Sequence, residues 1–138
     1  MSQKFVPYRP NYDLVGANID KLLGTTIKTT YTATAADTYE YANIAIPISN
    51  TKVYEIIAST MYSAAVAKGI ILASSNTALT GGYYIFAEND GNGNVGLDGS
   101  LSVHCLVPPY GANTIYVWVK YGAANKSNAI AVWYREIG

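Results

Sequence analysis

From Thr26 to the C-terminus, apolar and polar residues alternate with a period of two, in short runs broken by turn residues. The runs predict eight strands, at Thr26–Thr34, Thr38–Ile48, Lys52–Thr60, Val66–Ala73, Gly82–Glu88, Leu101–Val107, Thr114–Tyr121 and Asn128–Ile137. They are rich in Val, Ile, Thr, Tyr and Trp, which suit a pleated, half-buried surface. Ser49-Asn50, Ser74-Ser75-Asn76, Gly81-Gly82, Asp90 to Gly99, Pro108 to Asn113 and Gly122 to Asn125 supply the turns. Short strands at this spacing predict an all-β, antiparallel β-sandwich of jelly-roll type. No strand, glycine loop and helix follow one another, so the nucleotide-binding α/β folds lose their support. Ala58 to Ala67 has the weakest pattern; Ser63 to Lys68 resembles a helical turn and is read as a loop leading into a strand.

Residues 1–25 follow no such period. Phe5-Val6-Pro7-Tyr8-Arg9-Pro10-Asn11-Tyr12-Asp13 holds two prolines, which predicts an extended arm. Ala17 to Leu23 suits one or two helical turns ended by Gly24. The division is therefore an arm over 1–25 and a sandwich over 26–138. An arm this short has no core of its own, and it is expected to dock on its own domain or on a neighbouring subunit. Phe5, Tyr8 and Tyr12 are its candidate anchors, seated in pockets or by strand addition.

Alternation also separates the strand faces. Ile115, Val117, Val119 and Tyr121 share a core face, while Thr114, Tyr116, Trp118 and Lys120 share the other. In the last strand Ile130, Val132 and Tyr134 oppose Ala131, Trp133 and Arg135. Tyr39 and Tyr41 lie opposite Ile44, Ile46 and Ile48, provided no bulge intervenes. Tyr116, Trp118 and Trp133 are thus the candidate aromatic face, for contact with another subunit or with a glycan. Thirteen Tyr and two Trp exceed what one small sandwich needs, and rings with a polar handle favour half-wet interfaces.

Composition sharpens this picture. Only 13% of residues are charged, against about 25% in ordinary soluble domains. Such a surface suits a protein embedded in an assembly or placed outside a cell. Nine Lys plus Arg balance nine Asp plus Glu, so no cationic excess exists to draw a nucleic acid. Zero net charge also removes the repulsion that keeps copies apart. No apolar run approaches the roughly 18 residues of a membrane span, and the N-terminal residues show no export signal.

Chemistry finds little purchase. His104 and Cys105 are the only residues of their kinds, and as strand neighbours they point to opposite faces. A zinc site lacks ligands, no cofactor is expected, and a glycosidase pair of Glu88 with Asp98 or Glu55 has no specific support. One loop, Asp90-Gly91-Asn92-Gly93-Asn94-Val95-Gly96-Leu97-Asp98, places oxygen ligands at alternate positions like the start of an EF-hand. Val95 stands where the sharp turn wants Gly, and Leu101 where a bidentate Glu closes the site. A plain hairpin loop is the preferred reading, with Asp90, Asn92, Asn94 and Asp98 as the calcium candidates.

The Thr/Tyr-rich strands (Thr29-Thr30-Tyr31-Thr32-Ala33-Thr34, Thr38-Tyr39-Glu40-Tyr41), the Gly/Asn loops and the last strand Ala131-Val132-Trp133-Tyr134-Arg135 share one texture. In this the body resembles the jelly-roll or sandwich domains of tailed-phage virion proteins: capsid decoration proteins, head fibres and tail-fibre tips. The resemblance transfers no site residues. It implies a non-enzymatic structural protein on the virion surface, made in the host cytoplasm, anchored to capsid or tail proteins by its arm and self-associating, with a trimer favoured. The alternative is a carbohydrate-binding or host-receptor adhesin with a host glycan as partner. A hydrolase stands well behind.

Overall fold

The computed structural model of the chain describes residues 23–62, 67–91 and 99–138. The arm anchors Phe5, Tyr8 and Tyr12, and the calcium candidates Asn92, Asn94 and Asp98, lie outside the described residues. The strands are β1 (Thr25–Thr32), β2 (Thr38–Pro47), β3 (Tyr54–Tyr62), β4 (Ala67–Ala73), β5 (Ile85–Asp90), β6 (Gly99–Val107), β7 (Thr114–Tyr121) and β8 (Ser127–Glu136). All pairings are antiparallel. One sheet runs β1-β8-β3-β6 and the other β2-β7-β4-β5. Every connection changes sheet except β4 to β5, and that strand order is a jelly roll.

The core lies between the sheets, on the faces that alternation assigns to it. Ile44, Ile46, Ile56, Ile70, Leu72, Ile115, Val117, Val119, Tyr121, Ile130 and Val132 are all buried there. A β-bulge does intervene in β2: Tyr41 pairs with Trp118 and Ile44 with Val117, leaving Ala42 and Asn43 without partners. Asn43 takes φ +59° to make the detour. Two extra residues preserve the alternation, so Tyr39 and Tyr41 still face away from the isoleucines.

The largest boundary shift is in β5, which begins at Ile85 and not at Gly82. Ser74 and Tyr84 close the preceding loop, with the Ser74 N–H donating to Tyr84 O and the Tyr84 N–H to Ser74 Oγ. Gly81 and Gly82 sit at φ +84° and +97° inside it, a conformation that a side chain resists.

Candidate functional site

Register fixes what each outer sheet face presents. On the β1-β8-β3-β6 sheet the rows across the strands are Arg135–Glu55–Leu106, then Thr26–Trp133–Ile57–His104, then Lys28–Ala131–Ser59–Ser102, with Thr30–Ala129 beyond. No described element covers this face. Ile57 and Leu106 remain 38% and 59% exposed although both are large and apolar. Among them runs a short ionic chain. Arg135 Nε donates to Glu55 Oε1 at 2.8 Å, and His104 Nε2 lies 2.7 Å from Glu55 Oε2. The hydrogen bond with His104, then that from Arg135, holds the Glu55 carboxyl below the usual carboxylate range.

Trp133 stands at the centre of this face. Its Nε1 donates to Leu23 O at 2.7 Å, and the Arg135 guanidinium lies 5.6 Å from the ring centre. Gly24, at φ +73°, lets the backbone approach the indole; a Cβ there would fall 2.6 Å from Nε1. Beside Trp133 the face dips. Ala129 and Ala131 on β8 form the floor of an open cavity of about 460 Å³, flanked by Lys28, Thr30 and Ser59.

The other outer face is built differently. Trp118, Ile71 and Ala73 are buried there beneath Tyr39, Tyr41, Tyr116 and Leu79. Trp118 Nε1 donates to Ser75 O at 2.8 Å, so the β4–β5 loop folds back over the ring. The sequence suggests a cover supplied from outside; here the chain's own loop lies over Trp118. Lys120 Nζ is 3.0 Å from each Asp90 oxygen and 4.9 Å from the Tyr39 ring centre. Asp90, the one calcium candidate among the described residues, is therefore neutralised by a lysine. Tyr39 lies across Gly69 with its hydroxyl enclosed and without a hydrogen-bond partner. Burial first, and the carboxylates of Glu88 and Asp90 after it, push its pKa up.

Tyr116 and Trp118 are thus together, whereas Trp133 is on the opposite side of the sandwich. The three do not form one face. Glu88 and Glu55 are likewise on opposite outer faces, because Glu88 pairs with Ile71 and Glu55 with Arg135. His104 is exposed while Cys105 packs on the core, and burial raises the Cys105 pKa. Among the described residues no three of His, Cys, Asp and Glu gather as a metal would need. Many tyrosines serve the sandwich itself: Tyr54 and Tyr121 are buried in the core, Tyr31 packs against it, and Tyr39, Tyr41 and Tyr116 pack around Trp118. Tyr83 and Tyr84 are exposed at the β4–β5 loop, where the Tyr84, Phe86 and Tyr110 rings cluster edge-on and tilted with centres 5.0–6.1 Å apart. Sequence reasoning missed Ile57, Leu106 and the Glu55 ion chain, though the alternation of Glu55, Ile57 and Ser59 against Tyr54, Ile56 and Ala58 carried the signal.

The chain is a jelly-roll β-sandwich with one uncovered sheet face among its described residues. No protein-family model and no curated protein matches it. Solved structures similar in chain path include the Eiger TNF of S. frugiperda, at 10% identity over 83% of this chain and 88% of that one, with a TM-score of 0.42. The carbohydrate-binding module of Cellvibrio mixtus lichenase 5A, solved with cellotriose, is 12% identical over 86% and 95%, at 0.39. The infectious bursal disease virus Gx strain structure is 13% identical over 82% of this chain and 30% of that one, at 0.40. Scores this low carry nothing about what the chain binds.

Proposed function

We propose that this chain is a non-enzymatic structural protein of a tailed-phage virion, of the decoration or fibre type, that works by being covered by neighbours. The observation that carries the reading is the uncovered β1-β8-β3-β6 face. A solvated sheet face ordinarily turns polar side chains outward, yet this one presents Trp133, Ile57 and Leu106. Contiguous exposed apolar surface on a soluble domain marks an interaction site. The low charge of the chain supports the same reading, and the virion setting rests on the resemblance in texture. His104 faces Glu55, already held by Arg135, and Cys105 faces the core, which supports a structural role for both.

In this reading Phe5, Tyr8 and Tyr12 anchor the arm to capsid or tail proteins. Thr25 pairs with Tyr134, so β1 begins where β8 finishes, and loops 33–37 and 122–126 lie at the far end for display on the virion surface. Light scattering coupled to size exclusion tests self-association. A mass above 14.8 kDa that rises with concentration is expected; one monomeric mass throughout rejects it. A glycan-binding reading keeps one observation, the exposed Tyr83 and Tyr84 beside Tyr110. Tyrosine emission titrated with host polysaccharide separates the two, since only saccharide binding perturbs it in the wild type and not in Tyr84→Ala.

A further inference from the structure

The uncovered face is divided into a raised half and a sunken half. Arg135, Trp133, Ile57, His104 and Leu106 stand in two adjacent rows, and the next two hold Ala131, Ser59, Ser102 and Ala129, with Lys28 and Thr30 on the edge strand. The sunken half contains the cavity of about 460 Å³, which lies over β1, β8 and β3. Alanine is depleted in strands because it has little to pack there, so two alanines on one face of a central strand leave room that no described residue fills. We infer that the occupant is a second copy of this chain, packed face to face about a two-fold axis that crosses the strands between the Trp133 row and the Ala131 row. This rests on the assembly reading above and names its interface.

The register supplies the fit. Under that axis each row meets the partner row reflected through the boundary. Trp133 then faces Ala131 of the second copy, Ile57 faces Ser59, His104 faces Ser102, and Arg135 faces Ala129. In each of these four contacts a large side chain meets a small one, and each contact occurs twice, as an isologous interface requires.

The charges agree with this occupant. Arg135 and Glu55 neutralise one another within each copy, with His104 on the other carboxylate oxygen, so no ion needs a partner from outside. Lys28 is on the edge strand β1, opposite Thr26 of the second copy, where its ammonium stays in water at the rim. Zero net charge adds no long-range repulsion between copies. Four strands about 4.8 Å apart and four rows about 6.8 Å apart give a footprint of about 500 Å². Specific interfaces bury about 800 Å² per partner, so the pair is weak and reversible.

Sedimentation equilibrium of the full chain, from about 1 μM to about 500 μM where weak pairs form, reads this directly. The average mass is expected to move from 14.8 kDa towards twice that value. Ala131→Arg fills the depression and should weaken pairing at least about tenfold, a difference of about 1.4 kcal/mol. Ala45→Arg, exposed on the opposite sheet, should leave pairing unchanged, with thermal melts checking that both variants fold. Pairing by Ala131→Arg at wild-type strength, or a limiting mass of three copies, overturns this interface while leaving self-association standing. A wild type that stays monomeric across the range removes the assembly reading as well.

Discussion

Single side chains hold the connections of this sandwich, and Glu40 shows how. Its carboxylate accepts from the Thr34 N–H and Oγ1, the Ala35 N–H and the Tyr31 hydroxyl, pinning the β1–β2 loop. Burial works to raise its pKa, but those hydrogen bonds outweigh it and the carboxyl lies below its ordinary value. A depressed folded pKa contributes stability above the unfolded value, and that stability is lost as pH falls through the folded one. Glu40→Gln should therefore cost about 1–3 kcal/mol at neutral pH. Its melting temperature should also fall less than that of the wild type as the solution is acidified below about pH 4, the ordinary carboxylate range. Equal acid sensitivity in both proteins contradicts this account. Gly69 is the second such residue, because a Cβ there would run into the Tyr39 ring. Gly69→Ala should destabilise by about 1–3 kcal/mol. In a Tyr39→Ala background most of that cost should disappear, since residues in contact do not behave additively; denaturant titration of the four proteins measures the coupling.

At the scale of the element, alternation made the strands and their core faces legible, because a period of two needs only local information. It placed β7 within its observed bounds and kept Ile130, Val132 and Tyr134 inward on β8. What it did not reveal is which strands become neighbours. Trp118 and Trp133 look alike in sequence, each an outward ring on a C-terminal strand, yet the jelly-roll order sends β7 and β8 to different sheets. Nor did it show that the β4–β5 loop returns over Trp118, since Ser75 O and Leu79 arrive through tertiary packing. The two indoles should therefore report opposite environments. Trp133→Phe leaves only Trp118, 7% exposed, and its emission should be short in wavelength and resistant to iodide. Trp118→Phe should leave the quenchable ring, and it forfeits stability by removing a buried donor and part of a packed cluster. Equal quenching of the two variants means that the loop does not cover Trp118.

For the molecule as a whole, the decisive feature is that the last strand lies inside a sheet. β8 pairs with β1 on one side and β3 on the other, and the hydroxyls of Thr32 and Ser127 meet at 2.6 Å across 95 residues of chain. Until residues 127–136 arrive, β1 lacks its partner among the described strands. Contacts so distant in sequence must close large loops before they are rewarded, so refolding is expected in the millisecond-to-second range. The same topology grades protection against hydrogen exchange. β7 and β4 at the centre of one sheet, and β8 and β3 at the centre of the other, are paired on both sides and bear the buried core. Their amides should exchange only when the whole domain unfolds. β1 is held along one edge and is exposed over most of its length, so local opening should release it first. In dilute solution β1 should therefore exchange well before β8. If β1 proves as protected as β8 there, its outer edge is already paired with another strand, and the face-to-face contact is not the first contact this sandwich makes.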